Sequence, residues 1–464
     1  MYDLVLENGR LGSHEGEYGS IGIEKDKIMR VAGAGERLQG KRRMDVEGAW
    51  IFPGFIDAHT HLLALGLSMI RLDLSHTESR EQALELVRKA LRGRRGERAL
   101  VGYGWDESAW GERDYLRREE LDFSDVPVIL YRRDHHMAVL NTAALRKIGL
   151  EKRRNGVVKE DELKLLEPMA RADRPTVLMA LKAAFQKCLS EGITSVRDIV
   201  DAGTYQTYMR LSSLPVDVKL CLYRDGFEER FKEDSMFWGV KLFLDGSIGA
   251  GTAAYSGWSE KNLLLSESNL RVTARYFWKR GVSLAVHAIG DVAVETAVSV
   301  LSRSDNKIIN SIEHFELADD RTLERMGPTV ACCQPNFLQW SGRGGLYEIK
   351  LGRAWAERNN AYRRMLDRGV HLAFGSDCMP IGPLYGIKLA CTSPRAAQRI
   401  SAEEAVRCYT EAGAKLLNLQ RRGEIKTGFI ADLTVVRGDI TKSAEVVATV
   451  KSGTLAYQKL AKAQ

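Results

Sequence analysis

A chain of 464 residues with 44% hydrophobic and 28% charged residues is long enough for two to four domains or one large barrel with attachments, and its composition excludes a fibrous, repetitive or largely disordered protein. The net charge of +7 falls in short clusters such as LRGRRGER (91–98) without interleaved aromatics, which marks solvated faces rather than a nucleic-acid surface. No apolar run reaches the roughly 18 residues of a membrane span and MYDLVLENGR lacks the regions of a signal peptide, so a cytoplasmic location without membrane partners is expected.

Taken in chain order, the first fifty residues read as short strands, YDLVL, SIGIE, KIMRVA and MDVEG, separated by polar or Gly-containing turns. Apolar strand-like runs then alternate with helix-period segments, the pattern of a parallel sheet covered by helices. The expected strands are AWIFPGFID (49–57), ITSVRDI (193–199), VDVKLCLY (216–223), GVKLFLDG (239–246), VSLAVHA (282–288), IINSIEH (308–314), PTVACCQ (328–334) and VHLAFGSD (370–377). Eight such strands close a (β/α)₈ barrel. Helices are expected over 81–92, 175–191, 270–280, 291–303, 359–369 and 401–417, the last opened by a Ser401/Glu404 capping box. Roughly 135 residues separate the first two strands, far more than an ordinary connection, so an inserted subdomain is expected at about 68–175. The final strands, in IADLTVVRG, VVATVKSG and TLAYQ, pair the two chain ends into one small β domain, 1–50 with 421–464, around a barrel over 51–420. Seven cysteines without CxxC spacing read as reduced, buried thiols.

Polar residues recur toward the carboxyl ends of these strands, where barrel enzymes build their sites. His59 and His61 end the first, Lys241 and Asp245 lie in the fourth, His287 ends the fifth, His314 the sixth and Asp377 the eighth. Strand residues two apart project to one side, so His59 and His61 can serve a single ion. An isolated HxH is more often incidental, but four of the nine histidines fall at matching strand ends, and imidazole with carboxylate suits zinc and similar ions. Asp377 reads as a turn carboxylate or as a metal ligand that accepts a proton from activated water. A lysine inside an apolar run is costly as a charge, so Lys241 is expected to be neutral, nucleophilic and able to take up carbon dioxide as a carbamate.

PGFIDAHTHL, VKLFLDGSIGAGTA, VHAIGD, IEHFEL, GSDCMPIGPLYG and GFIADLTVV together resemble the amidohydrolase superfamily and, within it, the YtcJ-like (amidohydrolase 3) group, over nearly the whole chain. The resemblance implies an α/β fold: a metal-binding (β/α)₈ barrel, a small β-sandwich built from both chain ends and an inserted subdomain after barrel strand 1. It also implies hydrolysis of an amide-like C–N bond. His59 and His61 would bind a first metal, His287 and His314 a second, and Asp377 would ligate and shuttle the proton. Lys241 matches the position of a carboxylated lysine bridging two ions, so the implied cofactors are one or two divalent ions, zinc foremost, and carbon dioxide. GYGWDESAW with Trp105 and RRDHHMAVLN with His136 resemble the inserted region of this group, His136 as a contact to a substrate oxygen. GRAW keeps Arg353 as a candidate partner for a substrate carboxylate. Two departures stand out: the compressed segment KRRNGVVKEDELKLLEPMA, and Phe337 where relatives carry a histidine.

The expected partner is a small molecule, of N-acyl or N-formyl type, with a homodimer left open. Metal-activated water does not choose its electrophile, so an ester, lactone or phosphoester is the alternative, and a non-catalytic scaffold is the rival outside enzymology.

Overall fold

The computed structural model describes residues 1–12, 16–93, 98–107, 110, 114–132, 137–259, 263–305 and 307–459. Eight parallel strands form one sheet: β1 (Phe55–Thr60), β2 (Ile193–Val200), β3 (Asp217–Tyr223), β4 (Phe237–Phe243), β5 (Ser283–Ala288), β6 (Ser311–His314), β7 (Val330–Cys333) and β8 (His371–Phe374). Each hydrogen-bonds to the next in chain order, giving a nearly closed barrel. Every residue of β1 and β2 is buried, as strands covered on both faces require. At the seam between β8 and β1 the backbone N–H of Asp377 donates to the carbonyl of His59 at 2.8 Å. Asp57 Oδ1 accepts there from Ser376 N at 2.8 Å and His59 N at 3.2 Å.

Both chain ends meet in a second eight-stranded sheet. Leu433–Asp439 runs antiparallel to Trp50–Pro53, in the register Leu433 to Pro53 and Val435 to Ile51. Leu6, Ile21 and Ile23 from the beginning of the chain and Leu433, Val435 and Val450 from its end share one apolar cluster. Lys451 ties this sheet to the start of β3 through Asp217 at 3.0 Å, and also holds Asp432 at 3.0 Å.

The run 49–57, expected as one strand, is divided between the two sheets. Trp50–Pro53 belongs to the end sheet and Phe55–Thr60 to the barrel. Pro53 has no N–H to continue a ladder. Gly54 turns the chain, donating to the Asp432 carbonyl at 2.7 Å, and a Cβ at Gly54 would lie 2.3 Å from Thr194 Oγ1.

The chain divides into two compact units, Met1–His61 with Phe185–Gln464, and Leu62–Ala184. The second unit is wider than the expected 68–175. Its five-stranded sheet holds Leu72–Asp73, Leu100–Trp105, Val128–Arg132, Met137–Leu140 and Val157–Lys159 in that order. Its core includes Leu84, Val87, Trp105, Trp110, Leu116 and Val139.

The helix expected over 401–417 is two, Ala402–Cys408 and Glu411–Leu416. Ser401 and Glu404 form the expected reciprocal cap, with bonds of 3.1 and 2.8 Å. The break follows from competition for hydrogen bonds. Ile56 N of β1 donates to the Tyr409 carbonyl at 2.7 Å, and the Thr410 hydroxyl turns back to the Val406 carbonyl at 2.8 Å. All seven cysteines are free, and among the described residues no helix is long and apolar enough to cross a membrane.

Candidate metal centre

At the carboxyl ends of the barrel strands lies a cavity of about 540 Å³. His59, His61, Lys241, His287, His314 and Asp377 all line it. A larger groove of about 930 Å³, floored by Trp50 and Phe52 of the end sheet, carries none of these groups.

The strand ends aim the site residues. The pairing of β1 with β2 slips by one residue between Asp57 and Thr60, a bulge of the kind that redirects side chains beside active sites. The His59 and His61 rings come to 5.5 Å, and their Nε2 atoms lie 3.6 and 3.2 Å from Asp377 Oδ1. Ligand atoms of these three residues fall within 4.8 Å of one another. His314 sits 5.0 Å from the His59 ring and 4.5 Å from the His287 ring. His314 (φ 70°) and Asp377 (φ 52°) both adopt the left-handed backbone region, a conformation non-glycine residues hold only when the surroundings enforce it.

Each buried histidine gives one ring nitrogen to the protein. His59 Nδ1 donates to Glu313 Oε2 at 2.5 Å, His314 Nδ1 to Gln334 Oε1 at 2.8 Å, and His287 Nε2 to the Gly246 carbonyl at 2.9 Å. The other nitrogen then carries the lone pair a metal requires. Burial first, and the Lys241 ammonium second, lower His59 and His287 to about 4. Burial and the neighbouring histidines push His314 well below its ordinary value. Burial works to raise Asp377, but the His61 hydrogen bond, followed by the electrostatic effect of the surrounding His59 and His314, outweighs it and holds the carboxyl low. Neutral imidazoles beside an ionised carboxylate are the donor set that zinc and similar divalent ions take, so the residues present fit such an ion.

Lys241, on β4, is 2% exposed and its Nζ makes no hydrogen bond or ion pair among the described residues. Burial lowers its pKa, and the ring of Phe243 lies 5.3 Å away. Asp245, just past β4, accepts from the backbone N–H groups of Ala254, Ile289 and Gly290 and stands 3.5 Å from His287 Nε2, organising the loops rather than facing the cavity.

The sequence reading missed the support beneath His59. Arg197, on β2 and 0% exposed, binds both Glu313 oxygens at 2.7 Å, Ser311 Oγ at 2.9 Å and the Ala58 carbonyl at 2.8 Å. Its guanidinium stacks 4.3 Å from the Trp238 ring. Burial would raise Glu313, but Arg197 and His59 overcome it and hold the carboxyl well below its ordinary value. Glu313 and Cys332 could form a ligand group with His59 by proximity. The bidentate Arg197 contact makes Glu313 an orienting carboxylate instead. Glu316 and Tyr347 also line the cavity, and burial raises Glu316 to about 7.

Three sequence candidates remain. Trp105 is wholly buried in the core of the Leu62–Ala184 unit and donates to the Leu130 carbonyl at 2.9 Å, leaving no face for a substrate. Arg353 is exposed on the short helix Arg353–Ala356 and does not line the cavity. His136 lies outside the described residues.

Residues 42–457 match the amidohydrolase family. The YtcJ protein of Bacillus subtilis (strain 168) is 26% identical, across 96% of this chain and 97% of its own length. The N-substituted formamide deformylase of Arthrobacter pascens is 23% identical, across 90% of each chain. In structure the chain is similar to an uncharacterized metal-dependent hydrolase from Pyrococcus furiosus, with a TM-score of 0.80 and 26% identity over 95% of this chain and 100% of that one. A family match over nearly the whole sequence, on a barrel shared with a metal-dependent hydrolase, makes this chain a member of the amidohydrolase family: a hydrolase whose relatives support a divalent metal.

Proposed function

We propose that the protein hydrolyses an amide-like, non-peptide C–N bond of a small molecule, of N-acyl or N-formyl type. His59, His61, His287, His314 and Asp377 would hold the divalent metal, zinc foremost, and Lys241 would join them as a carbamate when two ions bind. The observation that carries this reading is the convergence of His59 and His61 on Asp377 Oδ1, at 3.6 and 3.2 Å, within one cavity. The name of the Arthrobacter pascens relative favours an amide of this kind.

A bound divalent metal supplies Lewis acidity, which polarises a carbonyl and lowers the pKa of water. Asp377, held as an acceptor, takes the proton from the attacking water and returns it to the leaving nitrogen as the C–N bond breaks. His61, with a side chain 30% exposed, faces the open side of the cavity, while His59 is sealed beneath. Glu313 keeps the proton of His59 on Nδ1 throughout.

Metal content per chain, intact mass and turnover of a panel test the proposal together. The panel contains N-formyl amines, N-acyl amino acids, cyclic amides and esters. Stoichiometric metal with amide turnover is expected. An added mass of one carbon dioxide, lost on Lys241→Arg, assigns the carbamate, whereas one ion with an unmodified lysine removes it. Turnover of esters or phosphoesters alone would reject the amide assignment.

A further inference from the structure

We infer that the cavity accepts substrates whose arm away from the scissile bond is uncharged and apolar, an aromatic ring or branched alkyl group, and rejects arms bearing a carboxylate. This deepens the hydrolytic reading and rests on it for the placement of the scissile bond beside Asp377.

Beyond the polar cluster the wall is built by Phe243, Ile248, Ile289, Phe337, Trp340 and Leu346. These side chains begin directly against the histidines. Phe337 lies parallel to the His314 ring, centroids 6.1 Å apart and planes at 5°, and packs 5.0 Å from Trp340. Phe243 stands 5.3 Å from the His287 ring and stacks with Tyr223 at 6.0 Å. Atoms next to the scissile bond therefore meet ring faces. The cavity falls within the roughly 300–1,000 Å³ range of small-molecule sites, so one ring-sized arm fits with the reacting group.

Charge decides the class of arm. Among the described residues Lys241 is the single lysine or arginine lining the cavity, and it belongs to the polar cluster. Arg353, the carboxylate partner expected from GRAW, is not on this wall. The polar side chains that remain on the wall are the carboxyl of Glu316 and the hydroxyls of Tyr223, Ser247 and Tyr347, none of them cationic. Glu316 is 4% exposed, and Asn360, bonded to Glu316 through its backbone N–H at 2.8 Å, stands behind it. A substrate carboxylate here would be desolvated against rings, beside the Glu316 carboxyl and, among the described residues, with no arginine on the wall to pair it. An uncharged arm gains from the same contacts.

The test uses two hydroxamates, 4-methylbenzohydroxamate and 4-carboxybenzohydroxamate, which share one chelating head and differ in charge at the far end of the ring. Calorimetric titration of the zinc-loaded full chain is expected to show the methyl compound binding at least tenfold more tightly. A ratio below tenfold, or a reversed preference, overturns the inference. Leu346→Arg, with the thermal transition retained, is expected to raise affinity for the carboxylate compound at least tenfold; no gain overturns the assignment of this wall. Turnover of N-acetyl-4-methylaniline and N-acetyl-4-aminobenzoate is followed in parallel. The hydroxamate preference without turnover of any amide overturns the hydrolytic reading and leaves this inference standing, whereas equal turnover of both anilides overturns this inference and leaves the hydrolytic reading.

Discussion

Glu313 Oε2 stands 2.5 Å from His59 Nδ1, and Arg197 grips the same carboxylate from the far side at 2.7 Å. The pair fixes which nitrogen of His59 is left to bind a metal, and it does so below the cavity, out of reach of substrate. Glu313→Gln keeps the shape but removes the charge and allows an amide N–H to face the ring. Metal affinity is expected to fall about 10- to 100-fold. Competition against a chelator of known affinity measures it; unchanged affinity would show that His59 is oriented by packing alone.

The same pair makes an opposite prediction for stability. Both groups are 0% exposed, so Glu313→Leu strands a buried guanidinium and is expected to cost about 3–5 kcal/mol in denaturant unfolding. The double variant Arg197→Met with Glu313→Leu removes both charges and should recover much of that loss. A double variant as unstable as the single one would mean that the ion pair contributes net stability.

Asp377→Asn retains the size of the side chain and loses the proton acceptor. Turnover of a verified substrate is expected to fall about 10²- to 10⁴-fold while the thermal transition stays cooperative. Near-normal turnover rejects Asp377 as the proton shuttle.

Gly375 is a position where the backbone itself guards the site. A Cβ there would sit 2.5 Å from His59 N and 3.0 Å from its Cα, both in β1 across the seam. Gly375→Ala is therefore expected to push β1 and β8 apart, costing about 1–3 kcal/mol. Metal affinity should weaken as well, although no ligand has been changed. Unaltered metal binding and melting temperature would show a seam loose enough to absorb a methyl group.

What the sequence revealed depended on how local the cause was. Strand-end histidines and Asp377 were legible because imidazole and carboxylate interrupt apolar runs at a repeated place, and the six expected ligands share one cavity. Arg197 carried the same signal as Lys241, a charge inside an apolar strand, and that signal would have found it in ITSVRDI. Glu313 was hidden by its neighbour: in SIEH the histidine draws the eye, and only the fold brings the glutamate to a residue 254 positions away. Trp105 was misplaced because an aromatic beside glycines fits a core as well as a binding wall. The split of 401–417 could not be read locally either, since the Tyr409 carbonyl is claimed by Ile56, far off in the chain.

The end sheet sets a schedule for synthesis. Ile51 and Phe52 belong to the strand that Leu433–Asp439 completes, and roughly 380 residues must be made between them. At the 5–20 residues per second of translation, that is a delay of about 20 to 80 s. For that interval the emerging chain presents an unfilled strand edge with apolar side chains, the kind of surface that recruits foreign strands. The half-made protein, rather than the finished one, is thus the form most exposed to aggregation, and the stage at which a chaperone has most to cover.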